Sequence, residues 1–252
     1  MRIAKPFPSA LQWRNHFQRS LAEELDAPER DGWADARMAA SLKQFQLGES
    51  AEGRHLLHYA REHGERTGDP WLGEAMALFI AEENRHARWM GEFLEAQGET
   101  LLDRHWLDGA FRVIRKPMGL GLMVAVLLCG EIVAVPYYDS LRKSTQSQWL
   151  RAICTRLLRD EAQHLKFQAS NLARVWRRWP LTTAFRVGHG ALLVISCVAC
   201  WSDHGVVLRG GGHTLGSFIA RCLKILETVH GDAVALVSRG NTRLGTPARS
   251  ER

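Results

Sequence analysis

Hairpin dipeptides are scarce in this 252-residue chain, and so is the alternation of apolar and polar residues that marks a half-buried strand. That scarcity argues against a sandwich or barrel. No segment repeats at a solenoid period and no linker-like run interrupts the interior, which leaves one domain over residues 1–238. The first twenty residues lack the continuous apolar stretch of a signal peptide. The five cysteines, at 129, 154, 197, 200 and 222, are an odd count in mostly apolar contexts. Buried free thiols in a reducing compartment, hence a cytoplasmic protein, are the expectation. Cys197-Val-Ala-Cys200 has a redox spacing but no neighbouring strand or proline, so it is read as core.

The formal net charge of +6 invites a nucleic-acid reading, which no accompanying motif supports. Part of the excess sits in residues 239–252, where Arg239, Arg243, Arg249 and Arg252 stand among Gly, Thr, Pro and Ser; this is expected to be a disordered basic tail. Arg174, Arg177 and Arg178, interleaved with Trp176 and Trp179, read as a solvated helix end.

What the sequence does hold is helical periodicity. A first helix is expected over Leu11 to Leu25. A long one should follow Asp31-Gly32 and continue to His63. A third runs from Trp71 to Gln97 after the Gly64–Pro70 turn. A connection over 99–116, with a short helix near Trp106 to Arg115, leads to long helices from Pro117 to Lys143 and from Gln148 to Trp179. Two more, Leu181 to Trp201 and Leu215 to Val237, flank the turn Arg209-Gly-Gly-Gly212. Two hairpins of long helices joined by a long crossover define an all-α, ferritin-like four-helix bundle, its core near residues 34–180, with extra N- and C-terminal helices. Trp71, Phe79 and Trp89 are expected in its aromatic core.

Glu-x-x-His sets two ligands one turn apart on one helix face. With 17 Glu and 11 His, chance supplies about 0.7 such motifs. Four occur: Glu52/His55, Glu83/His86, Glu161/His164 and Glu227/His230. Glu83/His86 and Glu161/His164 lie in the middle of long helices, where an ionised group is costly unless compensated. Glu227/His230, before Gly231 near the end of a late helix, reads as a surface pair. Glu131 is the only charged residue between Met118 and Tyr138. No Lys or Arg on that stretch can neutralise it, so a metal ion is the natural partner; the other account of so apolar a run is a membrane span. Hairpin symmetry agrees. Glu131 and Glu161 are equidistant from the turn at Ser144 to Ser147, and Glu49 or Glu52 pairs equally well with Glu83 across Gly64 to Pro70.

Leu158-Arg-Asp-Glu-Ala-Gln-His-Leu165 resembles the last ligand helix of ribonucleotide reductase small subunits, and Phe45-Gln-Leu-Gly-Glu-Ser50 the first ligand helix of rubrerythrin. With Glu83-x-x-His86 and Glu131, the whole is similar to the ferritin-like di-iron carboxylate superfamily over residues 34–180. Members of that superfamily take one Glu from each of two helices and Glu-x-x-His from each of the others. The resemblance implies Glu49, Glu83, His86, Glu131, Glu161 and His164 as ligands of two iron ions, with manganese or a mixed pair as alternatives. Glu49 is preferred to Glu52 for its Gly-Glu-Ser context. Glu83 and Glu161 would bridge, and Asp160 would bond a ligand histidine's outer nitrogen. It further implies dioxygen or peroxide as a partner, an electron donor, a small organic substrate for an oxidase or oxygenase, no membrane span, and room for a homodimer. The alternative is a peroxide-reducing or iron-handling protein; the paired Cys-x-x-Cys motifs frequent in rubrerythrins are lacking. Leu157 stands where arylamine oxygenases carry a third histidine, and no radical-storing tyrosine can be assigned among Tyr59, Tyr137 and Tyr138.

Overall fold

The computed structural model describes residues 9–25, 31, 37–50, 53–103, 119–176 and 183–244. Within them the chain is helical, with no strand. The helices are α1 Ala10–Ala22, α2 Arg37–Glu49, α3 Arg54–Thr67, α4 Leu72–Ala96, α5 Gly119–Ser144, α6 Gln148–Trp176, α7 Thr183–Gly210 and α8 Leu215–Leu244. Helices α2 and α3 pack along α4, and α6 along α5; α4 meets α6 and α3 meets α5, closing the four-membered arrangement. Helix α1 lies on α4, while α7 and α8 cover α5 and α6.

Each helix end shows its chemistry. Ser9 and Gln12 form a reciprocal capping box that starts α1. Gly68, left-handed at φ 71°, closes α3 with its N–H on Glu65 and Gly64 carbonyls. The start of α6 is capped twice. Ser147 Oγ accepts from Leu150 N at 2.9 Å, and the distant Asp31 carboxylate accepts from Gln148 N at 2.5 Å and Trp149 N at 3.2 Å. Pro136 lies inside α5, yet the helix runs on through it.

The expected helix from residue 32 to His63 is in fact two. Helix α2 stops at Glu49, and α3 starts after Gly53, whose left-handed φ of 59° a helix interior would not take. A Cβ at Gly53 would stand 2.5 Å from Ile80. Helix α7 also outruns its expected end at Trp201 to reach Gly210, and α8 continues past Val237 to Leu244, into the segment expected as tail. Residues 245–252, the short helix near Trp106 to Arg115, and Arg177, Arg178 and Trp179 lie outside the described residues.

By length and composition α5 and α7 could each cross a membrane. In α5 the protein itself covers 67% of the most apolar window, and in α7 44%. All five cysteines are buried free thiols. Trp71 departs from the expected aromatic core: it is exposed, with the Arg14 guanidinium over its ring.

His230 is a second departure. Glu227 is exposed as expected, but His230 is buried against His189, its Nε2 3.0 Å from His189 Nδ1, while His189 Nε2 lies 2.9 Å from the Ala125 carbonyl of α5. The pair pins α7 and α8 to α5. Burial, then the neighbouring His189, lowers the His230 pKa from 6.5 to about 4. A folded pKa below the unfolded one means the folded state binds fewer protons. Its contribution is therefore whole above pH 6.5 and is lost as pH falls from 6.5 towards 4. Thermal melts of the wild type and of His230→Asn across this window should show a Tm difference that narrows with acidity; a constant difference would refute the assignment.

Candidate metal centre

Four ligand-type residues meet where α4 faces α6. Glu83, His86, Glu161 and His164 each offer an atom within 4.8 Å of the others. The i, i+3 spacing places each Glu and His on the same inward face. His164 Nδ1 lies 2.8 Å from Glu83 Oε1, 3.5 Å from Glu161 Oε2 and 3.4 Å from Glu131 Oε2, so α5 delivers Glu131 to the same point. His86 Nδ1 is 3.7 Å from Glu161 Oε1. Glu161 thus turns one oxygen to each histidine. Glu131 is 5% exposed, and the Glu83 side chain 12%.

Glu49, the last residue of α2, joins from the fourth side. Its carboxylate interacts electrostatically with that of Glu83 and accepts from Tyr138 Oη at 2.5 Å. The structure thus places all six expected ligands together. Glu52, the rival to Glu49, lies outside the described residues.

The two ring nitrogens of each histidine have different company. His86 Nε2 is 3.2 Å from Asp160, the contact expected from the sequence, and His164 Nε2 is 2.9 Å from Glu82, which sequence reasoning missed. The support is crossed: the acid beside each ligand glutamate backs the histidine of the other helix. A carboxylate at Nε2 holds the proton there and leaves the Nδ1 lone pair pointing inward. The signal for Glu82 was present, since Glu82-Glu83-x-x-His86 repeats the pattern of Asp160-Glu161-x-x-His164. Both outer acids are ionised. Although burial opposes it, hydrogen bonding and charge from His86 and Arg156 hold Asp160 at about 2. His164 likewise pulls Glu82 down against burial.

The inner groups behave oppositely. Burial, then the charge of Glu131, raises Glu83 and pushes Glu161 well above the usual carboxylate range; burial and Glu83 do the same to Glu49. His164 rises well above its ordinary value: burial opposes the charge, but Glu83 and Glu161 outweigh it. Six of the eleven buried side-chain atoms without a hydrogen-bond partner among the described residues belong to this cluster: Glu83 Oε1, His86 Nδ1, both Glu131 oxygens, Glu161 Oε2 and His164 Nδ1. Buried polar atoms are rarely left so, and these point at a shared centre. Carboxylate oxygens with two imidazole nitrogens are a donor set for hard or borderline divalent cations.

A buried carboxylate without a hydrogen bond costs stability that only its ligand returns. Glu131→Leu should therefore stabilise the metal-free protein by about 1–3 kcal/mol and abolish any stabilisation by added divalent metal. Urea melts with and without metal would measure both; a less stable metal-free variant, or one still stabilised by metal, contradicts the assignment.

No family model, curated protein or solved structure matches this chain, so its functional reading rests on these residues alone.

Proposed function

We propose that the chain is a ferritin-like di-iron carboxylate protein that uses dioxygen to oxidise a small organic substrate. The observation that carries the reading is the division of labour in the two histidines. Each turns Nε2 to an ionised outer acid and Nδ1 to the buried carboxylates, the arrangement of a metal-ligating imidazole rather than of a structural one.

Glu49, Glu83, His86, Glu131, Glu161 and His164 would hold the pair, Glu161 facing both histidines. Four carboxylates balance two divalent charges, so the loaded site is close to neutral and can stay buried. When bound, such a pair supplies redox and Lewis-acid chemistry towards oxygen. The rest falls to the chain. Glu82 and Asp160 fix the histidine tautomers, and Tyr138 restrains Glu49 with its hydroxyl. Phe17 and Phe79, with Phe167 packed against both, shield His164 from water. The raised carboxyl groups and His164 hold protons that metal must displace.

Anaerobic Fe(II) titration of the full chain should saturate near two ions per chain, release protons into weak buffer, and raise Tm. At a hundredfold excess over Kd one site contributes about 2.7 kcal/mol. Admitting oxygen should consume it in proportion to the bound iron and then stop. A folded protein that binds no iron would sink the metal reading. Uptake continuing well beyond the pair would favour iron handling over substrate oxidation.

A further inference from the structure

Behind the outer acids stands a buried polar cluster that the metal reading does not by itself require. Ser20, in the last turn of α1, is 7% exposed. Its hydroxyl donates to Glu82 and accepts from Arg85 at 3.2 Å and Arg156 at 3.0 Å. Its carbonyl, which also accepts from the Glu23 N–H at 3.1 Å, takes the same two guanidiniums at 2.5 and 3.1 Å. Arg85 continues to Glu82 at 2.7 Å and Asp160 at 3.2 Å, and Arg156 to Asp160 at 2.9 Å. Trp89 lies under both guanidiniums, 4.7 and 5.6 Å from its ring centre, and stacks near His86.

Ser20 thus meets both guanidiniums and Glu82, while Asp160 is reached through the arginines and Glu23 meets Arg156 from the outer side at 3.2 Å. The buried charges neutralise each other in a site that water hardly reaches, which is the condition for burying charge at all. Glu82 orients His164 and Asp160 orients His86. Ser20 therefore stands behind both histidines, one step from His164 through Glu82 and two from His86 through the arginines and Asp160, although it belongs to neither ligand helix. A helix serving only as apolar cover would use Trp13 and Phe17, as α1 does along the rest of its buried face, and would have no need of a buried hydroxyl here.

We propose that Ser20 is a positioning residue through which α1 sets the metal affinity of the Glu83–His86–Glu161–His164 cluster, so that loosening this turn loosens both histidines together. The inference rests on the metal reading above. Loss of an interaction supporting a ligand histidine typically costs 10–100-fold in affinity.

The test is Co(II) titration of the full chain, following the visible ligand-field bands. Ser20→Ala should weaken Co(II) binding by about 10–100-fold at unchanged stoichiometry and shift the bands. Ser9→Ala, which removes the cap at the far end of α1, should lower Tm without altering the affinity. Should Ser20→Ala not fold, Ser20→Cys, close in volume and a much weaker hydrogen-bond partner, carries the same expectation. Wild-type affinity in the folded Ser20 variant, or an equal loss in Ser9→Ala, overturns the proposal while leaving the metal reading intact. A wild type that binds no Co(II) overturns both.

Discussion

The structure turns on how buried carboxylates are compensated, and it uses two opposite solutions a few ångströms apart. In the outer ring, Glu82 and Asp160 are ionised because arginines and imidazole nitrogens surround them. In the inner ring, Glu83, Glu131, Glu161 and Glu49 crowd one another, and no Lys or Arg is paired with them among the described residues. The histidines separate the two rings, facing one with each nitrogen. Replacing the outer arginines would leave charge stranded; placing one in the inner ring would fill the position a metal needs. Both rings depend on the fold keeping them apart.

That arrangement explains the distribution of apolar mass. Between Gly119 and Tyr138 helix α5 carries a single carboxylate in a run that is largely buried, so the cost of Glu131 is borne by a stretch that is otherwise apolar. The cover is aromatic where it meets His164: Phe17 and Phe79 stand against it, Phe79 meeting its ring at 78°, and Phe167 packs on both. Such a wall excludes water without offering a competing donor. The α7–α8 layer protects the far side of α5 and brings its own neutral histidine pair, a polar element that survives burial because each ring nitrogen facing the other or Ala125 is bonded.

Much of this is legible from residue types and spacing. The lone Glu131 and the hairpin midpoints bring the right helices together, since period and turn position are local properties that tertiary contacts rarely override. What escapes is decided by contacts between segments distant in the chain. Glu82 and Ser20 are 62 residues apart, and nothing near either one announces the pairing. His230 reads as a surface histidine because its motif gives no hint of His189 across a helix interface, 41 residues away. The break at Gly53 is hidden for a different reason: apolar spacing continues through it, while the left-handed backbone that ends the helix leaves no trace but the glycine itself.

That break also gives the candidate centre a direction. Glu161 and His164 are buried to 1% exposure or less, whereas Glu83 keeps 12% of its side chain in contact with solvent and Glu49 sits half-buried at the very end of α2. Among the six residues, exposure is highest on the side of the α2–α3 junction. A ligand at a helix terminus is held by fewer neighbours than one in mid-helix, and Tyr138 supplies the restraint that a following turn would otherwise give. The two sides of the centre therefore differ in kind: a buried mid-helix face, where α4, α5 and α6 supply Glu131 and both Glu-x-x-His pairs, and a more exposed face where Glu49 ends α2.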